Sequence, residues 1–340
     1  MLATDSTPAP TPPAFEHVQS AHCESGVITS LLRNQGVPIS EAMAFGLSSA
    51  LAFAYIPLVK INDLPLIGYR MLPRHILKGL KSKLRLPLRF ETFRAPAEGR
   101  RRLDELLDQG KVVGLQGSVF FLPYFPVNMR FHFNAHNLLV YGREGSDYLV
   151  SDPVFGNVTR CPARDLQRAR FVRGALAPKG LLYYFDRPLP AVDPVPMLRA
   201  AIRKNCHIML HAFLPFLGCS GIALLGRRVL KLPAEKDPEY TRRFVGHIVR
   251  MQEEIGTGGA GFRFLYAAFL QEAADLLALP ELQRLSLELT AIGDEWREFA
   301  LQAARISKGR SEMNLRLLHD LLVDLSNKER AFFRTLLKAV

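Results

Sequence analysis

"SAHCESGVITSLLRNQGVPISEAMAFGL", residues 20 to 47, places a thiol between a histidine and a glutamate at the entrance of a helical run. From Ser25 to Gln35 the apolar pairs Val27-Ile28 and Leu31-Leu32 recur at helical spacing, with Gly36 at the usual stop. Pro38 breaks the chain, and Ser40 reads as the N-cap of a second helix from Glu41 to about Leu51. A cysteine at a helix entrance is either a small hydrophobe or a nucleophile whose pKa the helix N-terminus lowers.

Further along, between Val112 and Phe185, short runs rich in β-branched and aromatic residues alternate with Gly, Asn and Asp turns. "VVGLQGSVFFLPYF", "HNLLVYG", "DYLVSDP" and "GLLYYF" read as antiparallel strands. The Pro-rich run "RPLPAVDPVP", residues 187 to 196, reads as a linker, and nearly everything beyond it has helical periodicity. The expected organisation is a tail over 1–14, an α+β domain over 15–186, the linker, and an all-helical domain over 197–340. No internal repeat is visible.

Composition sets limits on function. The 340 residues are 48% hydrophobic and 22% charged, which is ordinary for a globular protein of two domains. Four scattered cysteines, Cys23, Cys161, Cys206 and Cys219, form no CxxC pair, which argues against a disulfide framework and a structural zinc site. The opening "MLATDSTPAPTPP" has neither the basic start nor the apolar stretch of a secretory signal, so the expectation is a disordered tail on a cytoplasmic protein. "IMLHAFLPFLGCSGIALLG", residues 208 to 226, is nineteen residues without a formal charge. His211, Pro215 and three glycines interrupt it, so a pair of buried helices is expected there in place of a membrane span.

The formal charge is +12, of which residues 70 to 102 supply +9 through eleven Lys/Arg against Glu91 and Glu98. A basic surface favours an acidic partner. No helix-turn-helix, finger or RNP pattern accompanies it, so nucleic acid is not expected. An acidic carrier protein or contact with an anionic membrane suits it equally, and a solvated face is the plain alternative.

A thiol becomes a useful nucleophile when a base takes its proton and a third group orients that base. Cys23 begins the first helix, His136 begins the strand "HNLLVYG", and Asp152 ends "DYLVSDP". Two antiparallel strands joined by the turn at "REGSD" would bring His136 and Asp152 together. Each residue alone is as easily structural; together, on a helix-then-sheet background, they have the arrangement of papain-like enzymes. "HFNAH" sets His132 four before His136, but on a strand and without HExxH, so no metal is expected. "GTGGAG", residues 256 to 261, reads as a helix–helix turn, or as an anion cradle assisted by Arg263. No cofactor is expected.

The segment "HCESGVITSLLRNQGVPISEAMAFGL", with "LPYF", "AHNLLVYG" and the "SDP" turn, resembles the N-terminal domain of the butirosin biosynthesis protein H family. "IGTGGAGFRFLYAAFLQEAADLL" is similar to the uncharacterised helical domain that usually follows it. The resemblance runs from about residue 17 to 330 and implies a papain-like fold. It further implies an enzyme that moves an aminoacyl group from an acyl carrier protein thioester to an amine. Carried over, Cys23 would be the nucleophile, His136 the base and Asp152 the orienting acid. Gln19, four before Cys23, is the candidate for a second oxyanion donor, although the spacing is shorter than usual. Glu24 and Ser25 would either contact substrate or cap the helix.

The leading expectation is therefore a thiol acyltransferase of natural-product or lipid biosynthesis, working through acyl-Cys23. A cysteine hydrolase with the same three residues is one rival, and a scaffold that binds a carrier protein or membrane without catalysis is another. Cleavage before Cys23 to expose an N-terminal nucleophile is a further alternative.

Overall fold

The structure, a computed structural model, describes residues 15–61, 63–211 and 214–340. The tail expected over 1–14 lies outside the described residues. In chain order the elements begin with α1 (Cys23–Arg33), α2 (Glu41–Leu47), β1 (Leu51–Ile61), β2 (Leu64–Arg70) and α3 (His75–Lys83). There follow β3 (Leu88–Glu91), α4 (Pro96–Asp108), β4 (Val113–Gly117), β5 (His136–Glu144), β6 (Asp147–Ser151), β7 (Thr159–Pro162), α5 (Ala163–Arg170) and β8 (Leu182–Phe185). The remainder is helical: α6 (Val195–Leu210), α7 (Gly218–Glu235), α8 (Pro238–Val249), α9 (Arg263–Leu277), α10 (Pro280–Ser307) and α11 (Leu315–Ala339).

The α+β class with a helical C-terminal region is as the sequence implies, but the division of the chain differs. Among the described residues, those from 15 to 38 pack with 87–189, whereas 39–86 pack with 190–340. The uninterrupted 15–186 domain is thus corrected. An excursion holding α2, the β1–β2 hairpin and α3 belongs with the helices. The reason lies in its apolar side chains: Phe53 of β1 stacks on Trp296 of α10, and Tyr69 of β2 meets the same indole edge-on. The second helix stops at Leu47, short of the expected Leu51, because Leu51 already opens β1. The 187–196 linker is also shorter than expected, since α6 starts at Val195 with a proline in its first turn, where the missing N–H is harmless.

The first unit is built on an antiparallel six-stranded sheet in the order β3-β8-β4-β5-β6-β7. Period-two alternation sends Leu138 and Val140 of β5 into a core with Leu103 and Leu106 of α4 and Leu166 of α5. Helix α1 packs against β4 and β5. Its approach is close: a Cβ on Gly26 would lie 2.6 Å from Cβ of Pro153, so only glycine fits there.

The second unit pairs the β1–β2 hairpin with helices α2, α3 and α6 to α11. Of the apolar 208–226 run, 208–210 end α6 and 218–226 begin α7, the helix pair that the sequence implies, and 212 and 213 lie outside the described residues. Among the described residues, no helix is long and apolar enough to cross a membrane. The basic stretch 70–102 is divided between the units at residue 87.

Candidate active site

Helix α1 starts two residues earlier than its apolar pattern indicates, with His22 as N-cap and Cys23 at the first helical position. The His22 ring accepts a hydrogen bond from Ser25 N at 3.4 Å and lies 3.0 Å from Ser25 Oγ. That closes the helix entrance and fixes where the thiol points. Glu24 follows in the first turn, where a carboxylate complements the dipole. The Cys23 thiol therefore sits where the partial positive charge of the helix is greatest.

The segment before α1 is laced to the turn after β6. Ser20 N donates to Pro153 O at 2.7 Å, while His17 bridges Ser151 Oγ at 2.8 Å and Phe155 O at 3.0 Å. The helix entrance is thus fixed against the turn that carries Asp152.

His136 meets both of its expected neighbours. Its Nε2 lies 2.6 Å from Asp152 Oδ2, and its ring is also hydrogen-bonded to Cys23. With Nε2 engaged by the carboxylate, Nδ1 is the nitrogen left for the thiol. Burial alone would lower the imidazole pKa, but the charge and hydrogen bond of Asp152, supported by Cys23, lift it to about 10. The upward shift favours the imidazolium, the partner a thiolate requires. Phe125 stands edge-on to it at 5.4 Å and excludes water from that side.

Asp152 is fully buried and accepts from Tyr124 Oη at 2.9 Å and from Val154 N at 3.3 Å. These donors fix the orientation of the carboxylate toward the imidazole. Tyr124, within the quoted "LPYF", has no role in the sequence reading; a tyrosine in an apolar loop carries no signal of what its hydroxyl will meet.

Asn137 is the other residue that sequence reasoning missed. It is fully buried, and its Nδ2 lies 3.9 Å from Cys23 Sγ. Its amide is fixed at both ends, by Tyr183 Oη donating to Oδ1 at 3.0 Å and by Nδ2 donating to Ala135 O at 3.1 Å. A polar residue within an apolar strand is the signal that could have found it, since burial of an amide demands partners.

Other expected residues are placed differently. Gln19 is exposed and turns its amide to Val154 O at 3.4 Å, in the turn that follows Asp152. Ser25 is fully buried in the His22 cap, and Glu24 is fully buried beside it. Their position is that of cap and helix start, the second of the two readings that the sequence left open. Arg263 belongs to the helical unit, fully buried on Glu329 at 2.8 and 3.0 Å, with the Trp296 indole N–H on the same carboxylate at 2.6 Å. In the glycine-rich run, Glu253 occupies the Ala260 N–H at 3.1 Å. Both the arginine and this donor are already satisfied by carboxylates, so the anion reading of 256–261 is corrected to a turn.

The remaining thiols are chemically different from Cys23. Burial pushes Cys161, Cys206 and Cys219 up to about 12 each. His132 stacks on Phe120 at 4.1 Å, and among the described residues no cluster of His, Cys, Asp or Glu has metal-holding geometry.

Residues 164–336, half of the chain, match the family model described as "Domain of unknown function (DUF4872)". The chain belongs to the DUF4872 family. Ahead of that domain, residues 22–153 match the model described as "Butirosin biosynthesis protein H, N-terminal". The two matches meet inside the sheet-bearing unit, so the family boundary and the packing boundary do not coincide. No curated protein matches the chain. Among solved structures, a putative C39-like peptidase from Bacillus anthracis is similar at a TM-score of 0.37 and 11% identity, over 51% of this chain and 95% of that one. This DUF4872 member thus joins an α+β region, matched in part by the butirosin biosynthesis protein H model, to a helical C-terminal region.

Proposed function

We propose that the protein is a thiol acyltransferase that takes an acyl group from a carrier-protein thioester onto Cys23 and passes it to an amine or similar acceptor. The observation that carries this reading is the buried chain of Cys23, His136 and Asp152, with the thiol at the first position of a helix. The Cys23 thiolate attacks the thioester carbonyl, and the tetrahedral oxyanion forms at the helix N-terminus. Collapse breaks the donor C–S bond, and the departing thiolate takes the proton held by His136. An acceptor amine then attacks acyl-Cys23 and loses its proton to His136, which expels the Cys23 thiolate and restores the ion pair. Asn137, with one N–H held by Ala135 O, turns the other toward this sulfur and supports its negative charge.

The thioester donor and amine acceptor rest on the family resemblance, and the geometry supports the acyl-thiol step that both need. The test is intact mass after mixing with a panel of acyl carrier protein thioesters. The expected result is one acyl adduct, lost in Cys23→Ala and discharged by an amine. Discharge to free acid at the same rate with and without amine would support the cysteine hydrolase instead. No adduct with any donor would favour a scaffold.

A further inference from the structure

A concavity of 780 Å³ lies wholly within the helical unit, and none of its lining residues belongs to the unit that holds Cys23. That volume is within the range of small-molecule sites. The β1–β2 hairpin contributes Lys60, α7 contributes Arg227, Arg228 and Lys231, and Lys236 follows α7. Spacings of three and four residues put the α7 cations on one helix face. Two carboxylates also line the cavity, Asp63 and Glu235, and Glu235 is paired with Arg228. The lining therefore keeps an excess of positive charge.

The same cavity has an aromatic component. Phe244 lies 6.4 Å from the Tyr55 ring, edge-on, and 6.3 Å from the Tyr240 ring, while Leu224 adds an aliphatic contact. Solvated surface cations do not need such a lining. A ligand with one anionic end and one flat or apolar end uses both.

We propose that this cavity binds a small molecule carrying a diphosphate joined to a planar group, the chemistry of a nucleoside diphosphate. A lone carboxylate would leave most of the lining charge unanswered. A diphosphate concentrates several charges on oxygens that suit the guanidinium fork of Arg227 and the point charge of Lys231. An acidic peptide spreads its carboxylates along a chain, whereas a diphosphate gathers its charge at one point, as the cations of α7 do. The ring of the ligand would lie against Tyr240. The proposal does not depend on the reaction assigned to Cys23.

Titration calorimetry of the full chain with ADP, inorganic pyrophosphate and adenosine tests it. ADP is expected to bind more tightly than pyrophosphate by about tenfold, through stacking, and adenosine to bind undetectably. Reversal of two exposed cations, Arg227→Glu with Lys231→Glu, is expected to weaken ADP by at least about tenfold at an unchanged melting temperature, and added salt is expected to weaken the wild type. Tyr240→Ala is expected to weaken ADP and leave pyrophosphate unaffected. Cys23→Ala is expected to bind ADP normally, which separates this site from the chemistry of the thiol. Absence of ADP binding, ADP binding indifferent to the charge reversal, or preference for an oligoglutamate peptide would each overturn it.

Discussion

Nε2 of His136 lies 2.6 Å from Oδ2 of Asp152, although the two residues are not direct partners across the sheet. The β5–β6 register pairs Leu139 with Ser151 and Val140 with Val150, so its continuation sets Asp152 opposite Leu138. His136 is the diagonal neighbour on the same face, within reach of a long side chain. The imidazole thus leans along the strand toward Asp152 and still faces the start of α1.

Loss of the Asp152 charge is expected to reduce acylation of Cys23 by about a hundredfold or more in Asp152→Asn, with the fold retained. Tyr124→Phe removes only the phenol that shares Oδ2 with His136, and a loss of about three- to tenfold is expected. Without that donor, Asp152 turns more of its charge to the imidazolium, so the alkaline limb of the rate profile is expected to move upward. A Tyr124→Phe profile unchanged in shape would make the tyrosine merely structural.

His136 also links folding to pH. Its folded pKa is raised from 6.5 to about 10, so its stabilising contribution is complete below the unfolded value and is lost as pH rises through about 10. Urea denaturation at about pH 6 and about pH 10 is expected to show a larger loss of stability in the wild type than in His136→Gln. Cys161, Cys206 and Cys219, raised from 9.0 to about 12, also weaken the fold above the unfolded thiol value, but both proteins share that effect. Equal slopes for the two proteins would remove the imidazolium from the folded state.

Selective alkylation is expected to mark Cys23 alone at neutral pH, with Cys161, Cys206 and Cys219 protected as buried neutral thiols. Asn137→Asp places a carboxylate beside Sγ and is expected to slow labelling of Cys23 by at least about tenfold, whereas Asn137→Gln tests the need for an amide at that distance. Peptide mapping after a short iodoacetamide pulse reads both. Four equally slow thiols would count against a nucleophile at position 23.

The three side chains proposed to react were legible in the sequence for a local reason. Cys23 precedes a periodic helix, while His136 and Asp152 bound two strands joined by one short turn, so their proximity follows from hairpin geometry. Tyr124, Asn137 and Tyr183 were not legible, because each hydrogen bond depends on a loop path or a strand neighbour that no spacing encodes. The assignment of 39–86 to the helices was hidden likewise. It is decided by rings such as Phe53 and Trp296, which are far apart in sequence. The 70–102 charge run looked continuous, yet the chain passes between two units at residue 87.

That division reshapes the expectation of a docking face for an acidic carrier protein. In the half that packs with the sheet, Arg102 is held by Glu91, and Arg100 and Arg101 lie within 3.8 Å of Asp104 and 3.7 Å of Glu105. Lys83 is half-buried, donating to Leu47 O and Ser49 Oγ, and burial pulls its pKa down to about 8. Its reversal would break the fold and say nothing about docking. Lys78, Lys81 and Arg85 are exposed on or just after α3. Changing these three to Glu is expected to slow acylation by a carrier-bound thioester by about tenfold at low salt, through encounter rate and affinity, and less as salt is raised. Acylation by a small uncharged thioester is expected to stay within about twofold, because the encounter of a neutral molecule gains little from surface charge. Equal losses with both donors would indicate a damaged fold. No loss with either would leave α3 as a solvated face and move the search for carrier recognition to another surface.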